Sequence, residues 1–310
     1  MRLTGSRTEL LTSVVLLGVA LVWGSSYLVA KDLTAVAPVL VVLSLRYVVS
    51  ATALGMVCWR ARARVSGVRE VCVGLLLGLT QAAVLTLETY GVSATTATNA
   101  GLIISLTVVL TPLVDLAWGR GRLPAPFFVA TTVAVVGVAL LVSGNGFRAP
   151  GWGDALVLVA AAVRALHVSL IGRLTAAHPY SSLTLTTIQS VVGALVLSAA
   201  AAPQLGAAVA RLSLPAWGQL TYLALACTVF AFLAQTWAVR RTSASRASLL
   251  MGTEPVWAVL VGLSVGGETL TAVTACGAVL VVAATCYGQH VERTHRRLTV
   301  QPVVVPTASP

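Results

Sequence analysis

The chain has 310 residues, 57% hydrophobic and only 9% charged, with a mean hydropathy of +0.93. That balance excludes an ordinary soluble domain and defines a membrane protein. The formal charge of +11 comes from nineteen Arg and one Lys against nine acids, but these bases stand in short gaps between apolar segments, which argues against nucleic acid as a partner. Cys58, Cys72, Cys227, Cys276 and Cys286 show neither a CxxC nor any paired spacing, so they read as small core hydrophobes, with no metal and no organic cofactor expected.

Breaks at Pro, Gly and charge divide the chain into ten pieces near the roughly 20 residues that cross a bilayer. They run at about 10–30, 38–59, 71–90, 98–118, 126–144, 153–172, 182–202, 215–236, 247–266 and 270–288. The first follows Arg2 and Arg7 and lacks a convincing small-residue cleavage site, so it reads as a transmembrane helix rather than a cleaved signal. "GGETLT" (266–271) has the composition of a tight turn between the last two. With the N-terminus inside, fifteen basic residues fall in inner gaps and three (Lys31, Arg148, Arg211) in outer ones. This predicts that both termini are cytoplasmic. Residues 289–310 turn polar and then Pro-rich, which predicts a disordered cytoplasmic tail.

Displacing the sequence by 147 positions aligns residues 90–125 with 237–272 without a gap and with twelve identities. The expected organisation is therefore two halves of five helices, 1–148 and 149–288. Five is odd, so the second half enters the bilayer from the opposite side. The predicted fold is an all-α membrane protein of ten transmembrane helices arranged as two inverted five-helix repeats, an architecture suited to a carrier that exposes a midplane site to each side in turn.

Ionisable and aromatic residues within spans mark the candidate pathway. Trp23 and Ser26 lie in "WGSSY" of the first span, where close helix packing and a cavity wall are both open readings. Arg46 lies eight residues after Pro38, and a pairing with Glu254 is one option for it. Glu88 superposes on Gln235, and Tyr90 on Trp237, under the 147-residue shift. Such pairs suit gates on opposite sides, although Tyr and Trp near span ends also serve as interface anchors. Arg164 and His167, three apart on one helix face, suggest an anionic or carboxylate-bearing solute. Glu254 falls about eight residues, or roughly 12 Å, into its span, near the midplane. Pro255 removes the helical donor to the carbonyl of Met251, and Pro112 is a second expected kink. Asp115 reads as a local partner of Arg120 or Arg122, and Glu268 as a helix cap. "GWGD" (151–154) matches a short intramembrane-protease pattern, but Asp154 follows Pro150 at a span edge and reads as a helix start.

"VWGSSYLVAKDL" (22–33), "APVLVVLSLRYVVSATAL" (37–54) and "SRASLLMGTEPVWAVLVGLSVGGETLT" (245–271) resemble the EamA-type transporters of the drug/metabolite transporter superfamily over most of residues 10–288. The resemblance implies an inverted-repeat carrier with a central cavity, commonly an exporter of amino acids, related metabolites or toxic compounds. Three positions depart from it. Gly121 lacks the acid that Gly267 and Glu268 carry in the second half, Arg164 precedes Ala165 where the family often has Trp-Ala, and Glu88 replaces an apolar residue. The expected function is secondary transport of a small metabolite across a bacterial inner membrane, outward, with protons or a counter-solute as partners and a homodimer left open. An intramembrane enzyme, or an importer or exchanger of the same fold, is the alternative.

Overall fold

The computed structural model describes residues 2–95, 97–119, 123–143, 151–257, 260 and 271–299, and among these it is helical without strands. The helical stretches are α1 (Arg2–Val36), α2 (Val39–Arg60), α3 (Val68–Ala94), α4 (Ala97–Ser105 and Thr107–Ala117), α5 (Ala125–Ser143), α6 (Trp152–Thr175), α7 (Ser182–Val209), α8 (Leu214–Val239), α9 (Ala244–Met251, resuming at 254–257) and α10 (Ala272–Thr299). Six of them, α1, α2, α3, α6, α7 and α8, are long and apolar enough to cross a membrane, and Ile103–Ala117 and Ala125–Leu140 are shorter apolar helices. The chain is therefore a multi-pass membrane protein.

Helix ends follow local chemistry. Pro38 opens α2, Gly67 with φ 149° precedes α3, and Ser181, Ser213 and Ser243 accept from the backbone amides of Thr184, Ala216 and Arg246 at the starts of α7, α8 and α9. α1 runs unbroken through its Gly-Ser-Ser, where Ser25 and Ser26 donate their hydroxyls back to the carbonyls of Val22 and Trp23 rather than leaving them unpaired in an apolar span. α4 breaks at Leu106, whereas Pro112 lies inside its second piece. α9 breaks at Gly252 and Thr253, just before Glu254 and Pro255. α10 continues through residues 289–299, so the first part of the expected disordered tail is helical. Arg120, Gly121, Arg122, Arg148, Gly267, Glu268 and residues 300–310 lie outside the described residues.

The 147-residue displacement recurs in the helices. α4 and α9 begin at Ala97 and Ala244, α5 and α10 at Ala125 and Ala272, and the breaks at Leu106 and Thr253 stand the same distance apart. The packing is paired as well: α2 lies on α7, α5 on α10, α3 against α6 and α7, and α8 against α1 and α2. Where α3 crosses α6 the backbones nearly touch. A Cβ on Gly91 would stand 2.5 Å from Val157, and one on Gly153 2.7 Å from the carbonyl carbon of Ala94. Only glycine permits that approach. The main core, which includes Leu16, Leu43, Tyr47, Leu77, Ile171, Leu185, Leu223 and Leu250, is built from α1, α2, α3, α6, α7, α8 and α9.

Candidate functional site

A narrow cavity lies between α1, α2, α3, α6 and α8. Six of the residues singled out in the sequence line it: Trp23, Ser26, Arg46, Glu88, Arg164 and His167. Tyr27, Thr89, Phe232 and Gln235 complete its polar and aromatic wall. Glu88 and Gln235, equivalent under the 147-residue displacement, share this one cavity.

Glu254 stands beside the cavity and joins it through Arg164. Its side chain is 4% exposed and that of Arg164 8%, and the two form an ion pair at 3.1 Å. Two charges this deep require such compensation, because desolvating either one alone costs several kcal/mol. The second carboxylate oxygen accepts the hydroxyl of Tyr27. Tyr27 is one helical turn from Trp23, whose ring carries the Arg164 guanidinium 4.2 Å above its centroid. One arginine is thus held by a carboxylate on one side and a π face on the other. Two consecutive turns of α1 supply both contacts, since residues four apart share a helix face.

Arg46, 5% exposed, takes neutral partners. Its Nε donates to Thr228 Oγ1 at 2.6 Å and its Nη2 to the carbonyl of Cys227 at 3.3 Å. Of the options open to Arg46, pairing with Glu254 does not occur, because α9 presents Glu254 to Arg164. The same Cys227 carbonyl accepts Trp23 Nε1 at 3.0 Å. These bonds meet at a π-helical turn, Leu225–Phe230, within α8. A widened turn of this kind shifts backbone groups out of the regular ladder and recurs at functional sites. Nothing in "LACTVF" announced it.

His167 bonds through Nδ1 to Thr80 Oγ1 at 2.8 Å, and its buried Nε2 has no partner among the described residues. Its ring meets Phe232 edge-on at 6.4 Å, and Phe232 leans on Trp23 at 5.3 Å. Glu88 is half-buried and makes no hydrogen bond or ion pair among the described residues. The cavity therefore presents one carboxylate free of an ion pair, one arginine bound only to neutral groups, an imidazole nitrogen and an aromatic corner.

Trp237 lies elsewhere. It lines a separate surface groove and carries the Arg241 guanidinium 4.4 Å over its ring, so the structure does not bring it to the other seven candidates. Asp115 accepts from Ser245. Asp154 accepts the Gly151 amide at 2.7 Å and the Thr95 hydroxyl at 2.5 Å, so its carboxylate closes the start of α6. Tyr27 was missed as a pathway residue although its spacing from Trp23 placed it on the same face. Phe232 and Thr228 carried no signal, being an apolar residue and a threonine within an apolar span.

A multi-pass helical bundle with buried, mutually compensated charges around a central cavity is the arrangement of a membrane transporter. The EamA-like transporter family matches residues 10–143 and 151–287, and the chain belongs to it, and so to the drug/metabolite transporter superfamily. An uncharacterized transporter of Archaeoglobus fulgidus is 28% identical over 213 residues, covering 68% of this chain and 66% of that one, slightly under two thirds of the relative's length. One solved crystal structure shares the fold at a TM-score of 0.73 and 17% identity, covering 91% of this chain and 98% of that one.

Proposed function

We propose that this protein is a secondary carrier that moves a small zwitterionic or carboxylate-bearing metabolite by alternating access, most simply outward, as the family resemblance implies. The observation that carries the reading is the distribution of charge around the cavity. Arg164 is neutralised by Glu254, while Arg46 and Glu88 form no ion pair among the described residues. Arg46 would take the carboxylate of such a solute and Glu88 its ammonium group, with Trp23 and Phe232 against the apolar part. His167 Nε2 adds a polar contact within the same wall. Glu254 and Tyr27 hold Arg164 in place beside that solute.

The inverted-repeat organisation, with halves at 1–148 and 149–288, is supported by the equal displacement of helix starts and breaks, by the paired packing, and by the two family matches. In this arrangement the helices around the cavity come from both halves, so that rocking about the seam changes which side it faces. A gradient or an exchanged solute supplies the driving force. The seat is a bacterial plasma membrane with both termini cytoplasmic, an orientation that rests on the fifteen-to-three split of basic residues.

The test is growth of an overexpressing strain against amino acids, analogues and toxic compounds, followed by counterflow in proteoliposomes with the solutes identified. Resistance and counterflow are expected to disappear in Glu254→Gln and Arg164→Ala at equal expression. Full transport by both variants overturns the pathway assignment. Reporter tags that put the two termini on opposite faces overturn the inverted repeat.

A further inference from the structure

A second concave site, on the outside of the bundle, is not used by the proposed transport path. It is a groove at the end where α1 and α7 begin and α8 finishes. Its floor runs along α8 from Phe230 through Leu233 and Trp237 to Arg240 and Arg241 just past the helix end, eleven residue steps or about 16 Å. That is close to half of the roughly 30 Å hydrocarbon thickness, the depth of one leaflet. The inner stretch is apolar and partly bare: Leu11 is 54% exposed and Phe230 43%.

The outer end is cationic. Arg240 Nη1 donates to Ser182 Oγ at 3.0 Å and Nη2 to the carbonyl of His178 at 3.1 Å. Arg241 lies on the Trp237 ring and reaches the Trp237 carbonyl at 3.4 Å. Neither guanidinium meets a carboxylate within ion-pair distance among the described residues. The first turn of α7, a 28-residue helix, opens on the same groove at Ser181 and Ser182. Tyr180, 8% exposed, lines it too, and its hydroxyl has no partner among the described residues. Burial, and after it the adjacent Arg241, lowers the pKa of Arg240 from its ordinary value, with Glu70 acting in the opposite direction. An anion between the two guanidinia would offset both burdens.

We propose that this groove binds one anionic phospholipid, with its phosphate at Arg240, Arg241 and the first turn of α7 and an acyl chain along Phe230 and Leu233. Trp237 and Tyr180 then sit at headgroup level, where amphipathic rings are favoured. A free phosphate would leave the apolar stretch bare, and a zwitterionic lipid would bring its own cation to two arginines.

The test uses the full chain in phosphatidylcholine vesicles holding a minor share of phosphatidylglycerol, with brominated acyl chains on one lipid or the other. Quenching of Trp237 is obtained as the difference from Trp237→Phe. A preference for phosphatidylglycerol on the order of twenty-fold is expected, since each basic residue near an anionic headgroup contributes roughly fivefold. It should fall about fivefold in Arg241→Gln, an exposed site that does not endanger folding, and nearly vanish in Arg240→Gln/Arg241→Gln. Equal quenching by both lipids in the unsubstituted protein overturns the proposal without reference to any variant. Displacement by millimolar inorganic phosphate also overturns it, as does efficient cross-linking between copies through Arg241→Cys.

Discussion

Replacing Glu254 by Gln removes one charge and little volume, and leaves an oxygen that can still accept from Tyr27. The structure predicts a large cost nonetheless, because Arg164 stays charged with 8% of its side chain exposed and loses its ion pair, keeping the Trp23 face at close range. Stranding one member of a buried pair costs about 3–5 kcal/mol, which at roughly 2–4 °C per kcal/mol lowers Tm by about 6–20 °C. Arg164→Met strands the carboxylate and should cost a similar amount. The double variant removes both charges and should recover most of the loss, giving a coupling energy of about 3 kcal/mol or more. Thermal unfolding in one detergent measures the four proteins, and proteoliposome counterflow measures their transport. The double variant is expected to be stable yet inactive, because a cavity without the pair no longer positions its solute. Additive losses would refute the buried-pair reasoning, and a double variant that transports normally would refute the link between the pair and transport.

Glu88→Gln, at a side chain with no hydrogen bond or ion pair among the described residues, should leave Tm nearly unchanged while raising KM for an amine-bearing solute by roughly 10- to 150-fold, the worth of one charged hydrogen bond. An unchanged KM in counterflow would remove Glu88 from the site. Gly153→Val places a branched side chain against the Ala94 backbone at the α3–α6 crossing and should destabilise by about 1–3 kcal/mol, seen as a lower Tm; an unaltered Tm would mean that the helices are not in backbone contact. Asp154→Asn weakens the start of α6 and should cost about 0.5–2 kcal/mol with transport retained. Cleavage of a lipid or peptide by the unsubstituted protein, lost in this variant, would instead favour an intramembrane enzyme.

The architecture was legible because lipid imposes few rules. Apolar length marked the six long helices and the two shorter apolar ones, and a gapless displacement gave helix starts that recur 147 residues apart. Buried charge was legible for a related reason: Arg46, Arg164 and Glu254 cannot face hydrocarbon, so each had to meet protein or water. Which of them meet was not legible. The pairing depends on helix rotation, and one residue of rotation would exchange Arg164 for an apolar neighbour. Trp237 could be a gate or an interface anchor from its place in the sequence alone, and the second fits a Trp stacked by Arg241 at the end of α8, outside the cavity. The widened turn in α8 lies where α8 packs on α1 and α2, and its six ordinary residues carry no sign of it.

Arg164 and Glu254 are both borne by the later half of the chain, whereas Trp23 and Tyr27 come from the earlier one. If the halves tilt against each other, the salt-bridged couple can travel as a single electroneutral passenger. The phenol contact and the ring-face contact to the earlier half then have to give way, while the couple itself stays neutral throughout the stroke.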